Sequence, residues 1–119
     1  MNTFRAVAVF PYIEPANFEK FCELAKEMMA VIEQQESILR YDIFFSQDNT
    51  RCTILEEYAH PEAVFEHVKK NTELLQQLTA LGGKIEGNVF PMDHDGEALQ
   101  EIKNNWDSTF HHHHIGKVN

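Results

Sequence analysis

The sequence predicts an α+β domain whose strands and helices follow one another in the order β-α-β-β-α-β. Four short runs rich in apolar, β-branched and aromatic residues indicate strands, two longer segments repeat apolar residues at helical spacing, and turn-forming residues separate them. Four strands in this order form an antiparallel sheet with both helices on one face, which is the ferredoxin-like arrangement. We expect this domain to span residues 1–93, and a C-terminal extension with a short helix and a His-rich tail to span residues 94–119.

The first strand and helix occupy the N-terminal third of the chain. Residues 3–10 are apolar on both faces of the predicted strand, and such a strand is usually covered on both. We expect helices on one face and a second subunit on the other. Pro15 fits the first turn of the following helix, which the helical spacing of apolar residues extends to about Gln35. Its Met28 and Met29 are interpreted as gap-filling core, with a pocket wall as the alternative.

The middle of the chain predicts an antiparallel β-hairpin. Residues 38–46 and 51–58 form its strands, and residues 47–50 supply a polar turn. Side chains alternate along a strand, so successive residues point to opposite faces. In the first strand, one face is predicted to carry Leu39, Tyr41, Ile43 and Phe45. In the second strand, one face is predicted to carry Cys52, Ile54, Glu56 and Tyr58.

The second long helix is predicted to begin at Pro61 and to end at the Gly82–Gly83 pair. His67 is expected at the edge of its apolar stripe. The stripe itself is expected to consist of Val64, Val68, Asn71, Leu75 and Leu78. A fourth strand follows at residues 84–92, and the extension then predicts an acidic loop, a short helix at residues 98–106 and a tail with little periodicity.

The net charge limits the partners that we expect for the chain, and the cysteines and the N-terminal sequence indicate its location. The chain of 119 residues has a formal net charge of −9, which disfavours nucleic acid and anionic membranes as partners. Cys22 and Cys52 are interpreted as free thiols in a reducing cytosol. The N-terminus lacks the apolar core of a signal peptide, and no stretch reaches the roughly 20 apolar residues that cross a bilayer. We therefore expect a cytoplasmic protein.

One set of polar residues suggests chemistry. Glu56 and Tyr58 point to the same face of their strand, and His67 lies on the helix that follows. If that face looks toward the helices, the three side chains converge on one cavity, and Tyr41 on the neighbouring strand adds a phenol. A carboxylate beside an imidazole raises the pKa of the histidine and orients it, which suits a general base. The alternative is a buried Glu–His hydrogen bond that only ties strand to helix.

Two other segments raise the question of metal binding. Residues 111–114 are four consecutive histidines, and imidazole is a ligand for zinc, copper and nickel. Because neighbouring side chains of an extended segment point to opposite sides, we interpret the run as a mobile solvated tail, with metal binding or an engineered tag as alternatives. Trp106 and Phe110 beside the run suggest that it docks on a surface such as a partner subunit. The acidic loop at residues 93–97 lacks calcium-loop spacing and is interpreted as a solvated turn.

The stretch from Leu39 to His67 resembles the antibiotic biosynthesis monooxygenase domain, a family that includes quinol monooxygenase-like and haem-degrading proteins. The shared pattern is a Leu-x-Tyr strand, a polar turn, a strand that ends in Glu-x-aromatic, a helix start of acidic-Ala-hydrophobic type, and a His. The matching residues are Leu39, Tyr41, Glu56, Tyr58, Glu62, Ala63, Val64 and His67. The resemblance covers about residues 3–92.

The sequence also departs from the pattern of this family. Ser37 and Ile38 stand where the family often has Gly-Cys, Tyr58 stands where it often has Trp, and Thr72 stands where many members have a second His. The last two departures weigh against the haem-degrading branch. The C-terminal extension is not part of the usual domain.

The resemblance implies a homodimer of the dimeric α/β-barrel type, in which two ferredoxin-like sheets pack face to face. It also implies that a pocket between sheet and helices holds a small aromatic substrate, a quinol or polyphenol, which O₂ oxidises without metal, flavin or other cofactor. In this hypothesis His67 is the base, Glu56 orients it, and Tyr41 and Tyr58 bind the aromatic ring. The alternatives are a non-enzymatic dimeric module that binds a small apolar ligand and a haem- or metal-binding protein.

Overall fold

The computed structural model describes residues 3–92 and 96–118. Within these ranges the elements are β1 (Phe4–Phe10), a 3₁₀ turn (Pro15–Asn17), α1 (Phe18–Ile32), β2 (Ile38–Phe45), β3 (Cys52–Tyr58), α2 (Ala63–Lys70), α3 (Thr72–Gly82), β4 (Glu86–Phe90), α4 (Glu97–Asn105) and β5 (Thr109–Phe110). Most of the predicted acidic loop, residues 93–95, lies outside the described residues. No helix among the described residues is long and apolar enough to cross a membrane.

The strands form one sheet in the order β2-β3-β1-β4-β5. β1 runs antiparallel to both β3 and β4, and β2 runs antiparallel to β3. Together with the helices between them, these four strands confirm the predicted ferredoxin-like arrangement. β5 adds a short parallel strand at the β4 edge, which the sequence did not predict.

The helices cover one face of the sheet and form the main core with it. α1 contributes Phe21 and Met28, α3 contributes Leu78, and all three pack in one buried cluster with Ile54 of β3. Met29 packs against the same cluster. The interpretation of the two methionines as gap-filling core is therefore confirmed.

The opposite face of the sheet is open in the described chain. Phe44 and Leu55 are 52% and 42% exposed there. Together with Arg5, Arg40 and other residues of this face, they line a depression of about 750 Å³.

A register shift in β2 corrects one prediction. Ile38 and Arg40 pair with consecutive residues of β3, so Leu39 is an extra residue in β2, as in a β-bulge. The prediction that Leu39 shares the inner face of Tyr41 is wrong, because the extra residue reverses the alternation at this point. Ile38 packs against the core instead, and Leu39 is 52% exposed.

The second long helix is divided at Asn71, whereas the sequence predicted a continuous helix. Asn71 has φ −116° and ψ 17° and separates α2 from α3. Its Nδ2 donates to the His67 carbonyl oxygen at 2.9 Å, and the Thr72 hydroxyl donates to the Val68 carbonyl oxygen at 2.8 Å. Side chains that bind these carbonyls compete with regular helical hydrogen bonds, which accounts for the break. Gly83, with φ 88°, ends α3 as predicted.

The C-terminal segment is attached to the edge of the sheet. The His111 backbone N–H donates to the Val89 carbonyl oxygen at 3.0 Å. The His111 ring stacks on Phe90 with 4.6 Å between centroids, and its Nε2 lies 3.0 Å from Asn88 Oδ1. The interpretation of the histidine run as a mobile tail is therefore wrong at His111, while residues 112–114 are exposed. No three His, Cys, Asp or Glu side chains are arranged to hold a metal in the part of the chain that the structure describes.

Candidate active site

A cavity of about 530 Å³ lies between the helix-covered face of the sheet and helices α2, α3 and α4. All four predicted site residues line it, namely Tyr41, Glu56, Tyr58 and His67. Much of the remaining wall is apolar and includes Phe4, Ile54, Val64, Leu75 and Ile102. The depression on the open face lacks Tyr41, Tyr58 and His67, so the cavity under the helices is the candidate site. Its volume suits a ligand with several rings.

Strand pairing and helix packing position the four side chains. Tyr41 lies opposite Glu56 across β2 and β3, and Tyr58 follows Glu56 on the same face of β3. His67 lies on the inner face of α2 and is 4% exposed. The sequence placed His67 at the edge of a stripe of valines, but the buried face of this helix runs through His67 and Asn71, and the valines are only partly buried.

Two hydrogen-bonded pairs organise the site. The Tyr41 hydroxyl lies 3.2 Å from His67 Nε2, and the Tyr58 hydroxyl donates to Glu56 Oε1. Asn71 Nδ2 lies 3.3 Å from His67 Nδ1. Among the described residues, the hydrogen bonds of the imidazole therefore go to Tyr41 and Asn71 and not to Glu56. The hypothesis that Glu56 orients the imidazole is wrong, because Tyr58 engages the carboxyl group and Asn71 engages Nδ1.

The orientation of the Asn71 amide favours one tautomer of His67. One N–H of this amide donates to the His67 carbonyl oxygen at 2.9 Å, and this orientation directs the other N–H toward Nδ1. Because Nδ1 accepts, we assign the proton of the neutral ring to Nε2, which donates to the Tyr41 oxygen. The Tyr41 O–H is then available to donate to a molecule in the cavity.

Asn71 is a site residue that was not predicted, because its spacing along the helix placed it in an apolar stripe. An amide one helical turn after an inward-facing histidine is the signal that identifies such a partner. Asn71 is 1% exposed, and its Oδ1 is buried without a hydrogen-bond partner in the described part of the chain. An unpaired buried acceptor costs about 1–3 kcal/mol. The amide keeps this orientation because a flip would place its oxygen against the His67 carbonyl oxygen.

Burial shifts the pKa values of the site residues in opposite directions. Burial lowers the pKa of His67 to about 4, so the expectation of a raised pKa is wrong and the ring is neutral at neutral pH. Burial raises the pKa of Glu56 to about 7, although the hydrogen bond from Tyr58 acts in the other direction. The pKa values of Tyr41 and Tyr58 are raised well above their usual value, first by burial and then by the charge of Glu56. Within this set, Glu56 is the group that changes protonation near pH 7.

No protein-family model and no curated protein matches the chain, but solved structures do. MupZ from Pseudomonas fluorescens superposes with a TM-score of 0.83 at 15% identity, over 100% of this chain and 96% of MupZ. SnoaB from Streptomyces nogalater, described as a cofactor-independent oxygenase, superposes with a TM-score of 0.66 at 13% identity, over 82% of this chain and 99% of SnoaB. A structure described as an antibiotic biosynthesis monooxygenase has a TM-score of 0.63 at 23% identity, over 78% of this chain and 99% of that one.

These structures establish the fold class. The chain has the ferredoxin-like fold of antibiotic biosynthesis monooxygenases, which confirms at the level of fold the resemblance found in the sequence. At such low identities the likeness reaches no further than the fold, so the reaction has to be argued from the side chains of the site.

Proposed function

We propose that the chain is a monooxygenase of the antibiotic biosynthesis monooxygenase family that oxidises a quinol or polyphenol with O₂ and uses no metal, flavin or other cofactor. The observation that carries the proposal is the position of the Glu56 carboxyl group in a mostly apolar cavity, beside two phenols and an imidazole, where burial raises its pKa to about 7. A proton acceptor is most effective when its pKa lies near the working pH. The likeness to SnoaB, described as a cofactor-independent oxygenase, supports the proposal.

A phenol of this class supplies all the electrons that the reaction needs. Deprotonation gives an electron-rich phenolate, which passes one electron to O₂, and the two radicals combine at a ring carbon. Loss of water from the resulting peroxide leaves a new carbonyl group on the ring. For a hydroquinone, substrate plus O₂ gives a hydroxyquinone plus water, which balances without an external reductant. The protein needs only to deprotonate the ring and to hold it beside O₂ in a dry site.

We assign the proton-accepting role to Glu56, in place of the role that the sequence hypothesis gave to His67. A phenol with a pKa of about 10 transfers its proton to Glu56, with a pKa of about 7, at a cost of about 4 kcal/mol. Transfer to His67, with a pKa of about 4, costs about 8 kcal/mol. The Tyr58 hydroxyl binds Oε1 of the carboxyl group, which leaves Oε2 to accept the proton.

The other three side chains hold the substrate in this proposal. The rings of Tyr41 and Tyr58 line the cavity, with centroids 5.1 and 6.1 Å from the His67 ring. Tyr41 is 9% exposed and can contact an aromatic substrate, whereas Tyr58 is 0% exposed and acts through its hydrogen bond to Glu56. His67 is a positioning residue that orients the Tyr41 hydroxyl toward the oxygen on which charge develops.

We also propose that the open face of the sheet binds a second copy of the chain. Phe44 and Leu55 are 52% and 42% exposed on this face, and the charged side chains of Arg5, Arg40 and Asp42 lie around them. Face-to-face packing buries the apolar side chains and brings opposite charges together. Light scattering after size exclusion should give a dimer for the wild type and a monomer for Phe44→Glu. A monomeric wild type contradicts this proposal.

We propose that the protein is located in the cytoplasm, and its two cysteines support this location. Cys22 and Cys52 are both free, as the sequence predicted. Free thiols are typical of proteins in reducing compartments.

A non-enzymatic module that binds a small apolar ligand is the second candidate. The observation in its favour is that the carboxyl, imidazole and phenol groups are already paired with one another. Such pairs satisfy buried polar groups without any chemistry.

Oxygen uptake separates the two candidates. Wild type, Glu56→Gln and Glu23→Gln are compared with 1,4-naphthohydroquinone and other hydroquinones in an oxygen electrode, each against the uncatalysed rate. We expect Glu56→Gln to lower kcat/KM by about 10²–10⁴-fold, the range for loss of a general base. Glu23→Gln removes an exposed carboxyl group of α1 and should match the wild type. A wild type that binds the quinols without faster uptake contradicts the proposed function and favours the binding module.

A further inference from the structure

The C-terminal extension takes part in the same cavity as the four site residues. Leu99 and Ile102 of α4 are 6% and 1% exposed, and both belong to the buried cluster that contains Tyr58. The cavity is therefore closed on one side by a helix that lies outside the ferredoxin-like domain. The residues of the extension that line it are Ile102, Trp106, Asp107 and Ser108.

Trp106 packs this segment of the extension against α2. Its indole stacks on Phe65 of α2 with 5.8 Å between centroids and 24° between planes. The indole is also part of the cavity lining, and Trp is the largest side chain that the extension contributes. The chain contains one tryptophan, so the fluorescence of Trp106 reports directly on this wall.

Several contacts hold the segment around Trp106 in place. Asp107 accepts an ion-paired hydrogen bond from Lys84 at 2.7 Å. A Cβ atom at Gly87 would lie 2.7 Å from the Ser108 hydroxyl oxygen, so glycine at this position of β4 allows the segment to approach closely. β5 and His111 then attach the following residues to β4. These contacts anchor the chain after Trp106, buried Leu99 and Ile102 of α4 anchor it before Trp106, and His111 is the member of the histidine run that takes part.

Two of the similar solved structures are shorter than this chain, as expected if the extension is an addition to a common domain. SnoaB and the structure described as an antibiotic biosynthesis monooxygenase are matched over 99% of their own length, yet they cover 82% and 78% of this chain. The unmatched share is about the size of the extension. MupZ, in contrast, covers 100% of this chain. The basic fold is therefore complete without such a segment. The contacts of the extension with the cavity indicate its role instead.

We propose that the C-terminal extension is a wall of the ligand cavity and that Trp106 is a specificity-determining residue, which limits the number of fused rings in the phenolic ligand. This inference rests on the proposed function for the chemical class of the ligand. Trp106 lines the same cavity as Tyr41 and Glu56, and an indole ring presents an apolar surface to a planar aromatic ligand. An apolar wall discriminates by size, because a ligand that is too long meets a fixed side chain.

Binding of two phenols of different size tests this role without turnover. Calorimetric titrations of the full chain use 2-naphthol, with two fused rings, and 1-hydroxypyrene, with four. We expect Trp106→Ala to shift the ratio of the two dissociation constants toward 1-hydroxypyrene by about tenfold or more. Tyr12→Ala is the control, since it removes an aromatic side chain that is 51% exposed and does not line the cavity, and it should keep the wild-type ratio. In the wild type, 2-naphthol should quench the fluorescence of Trp106.

The outcomes that overturn the inference are distinct from those that overturn the proposed function. A ratio that is unchanged in Trp106→Ala, or shifted equally in Tyr12→Ala, overturns the inference even if oxygen uptake is observed. A shifted ratio without any oxygen uptake supports the inference and contradicts the monooxygenase proposal. If neither phenol binds to the wild type, the inference is wrong, and the proposed function is decided by oxygen uptake alone. If Trp106→Ala does not fold, Trp106→Leu, which keeps an apolar contact with Phe65, is judged by the same criteria.

Discussion

Replacing Glu56 by glutamine is expected to stabilise the protein at alkaline pH relative to acidic pH. The pKa of Glu56 is about 7 in the folded protein, compared with the ordinary value of 4.5. Below the ordinary value, the carboxyl group is protonated in both the folded and the unfolded chain. As the pH rises, the unfolded chain ionises first, so the folded state loses relative stability until the pH reaches about 7.

The magnitude follows from the two pKa values. The change from 4.5 to about 7 corresponds to about 3 kcal/mol, at about 1.4 kcal/mol per pKa unit. Glutamine cannot ionise, so the unfolding free energy of Glu56→Gln minus that of the wild type should rise by this amount from about pH 4.5 to about pH 8.5. The pH-independent effect of exchanging an acid for an amide cancels in this comparison. The contribution of His67 also cancels, because both proteins contain it.

Urea unfolding followed by circular dichroism at several pH values measures this difference. Glu23→Gln serves as the control, since it removes one negative charge from the exposed side of α1. Its difference from the wild type should not follow the course expected for Glu56→Gln. A difference for Glu56→Gln that stays constant within about 0.5 kcal/mol across the range refutes the reasoning, because surface substitutions alone produce effects of that size.

The imidazole and the core give three further predictions. The unfolding free energy of the wild type minus that of His67→Gln should fall by about 3 kcal/mol as the pH falls from 6.5 to about 4, because the unfolded histidine binds a proton that the buried His67 does not; the opposite contribution of Glu56 cancels in this difference, and a difference that does not change with pH counts against the prediction. Asn71→Asp should move the ring proton of His67 from Nε2 to Nδ1, which ¹⁵N NMR of labelled histidine detects; an unchanged tautomer contradicts the assigned role. Leu78→Ala should cost about 2–5 kcal/mol in urea unfolding, since Leu78 is 1% exposed in the core; a loss below about 1 kcal/mol disagrees with this packing.

The fold and the meeting of the four site residues in one cavity were predictable, because both follow from the spacing of apolar residues along the strands and helices. Alternation along β3 places Glu56 and Tyr58 on one face, and hairpin pairing places Tyr41 beside them. The glycine signal gave the end of the second helical region, because Gly83 adopts a positive φ that stops the helix. Pro61 marked its start only approximately, since α2 begins two residues later, at Ala63.

The hydrogen-bond partners within the site were not predictable, because they depend on the distances between side chains in three dimensions. Glu56 and His67 both line the cavity, but Tyr58 and Asn71 are closer partners in their own strand and helix. For the same reason, the pKa of His67 is lowered, whereas the sequence predicted that it is raised. Burial lowers it, and no hydrogen-bonded carboxylate opposes this effect.

The remaining differences come from single-residue irregularities and from the extension. One extra residue at Leu39 reverses the alternation of β2, and no composition signal marks such a bulge. Asn71 interrupts a pattern that otherwise reads as continuous helix. β5 consists of two residues, Thr109 and Phe110, and a strand this short has no detectable period.

The protonation of Glu56 inside the cavity is the central claim, and a direct titration of its carboxyl group tests it. The ¹³C NMR signal of the side-chain carboxyl carbon can be followed against pH in the wild type and assigned by its absence in Glu56→Gln. The account predicts a midpoint at about 7, and a midpoint near the ordinary 4.5 contradicts it.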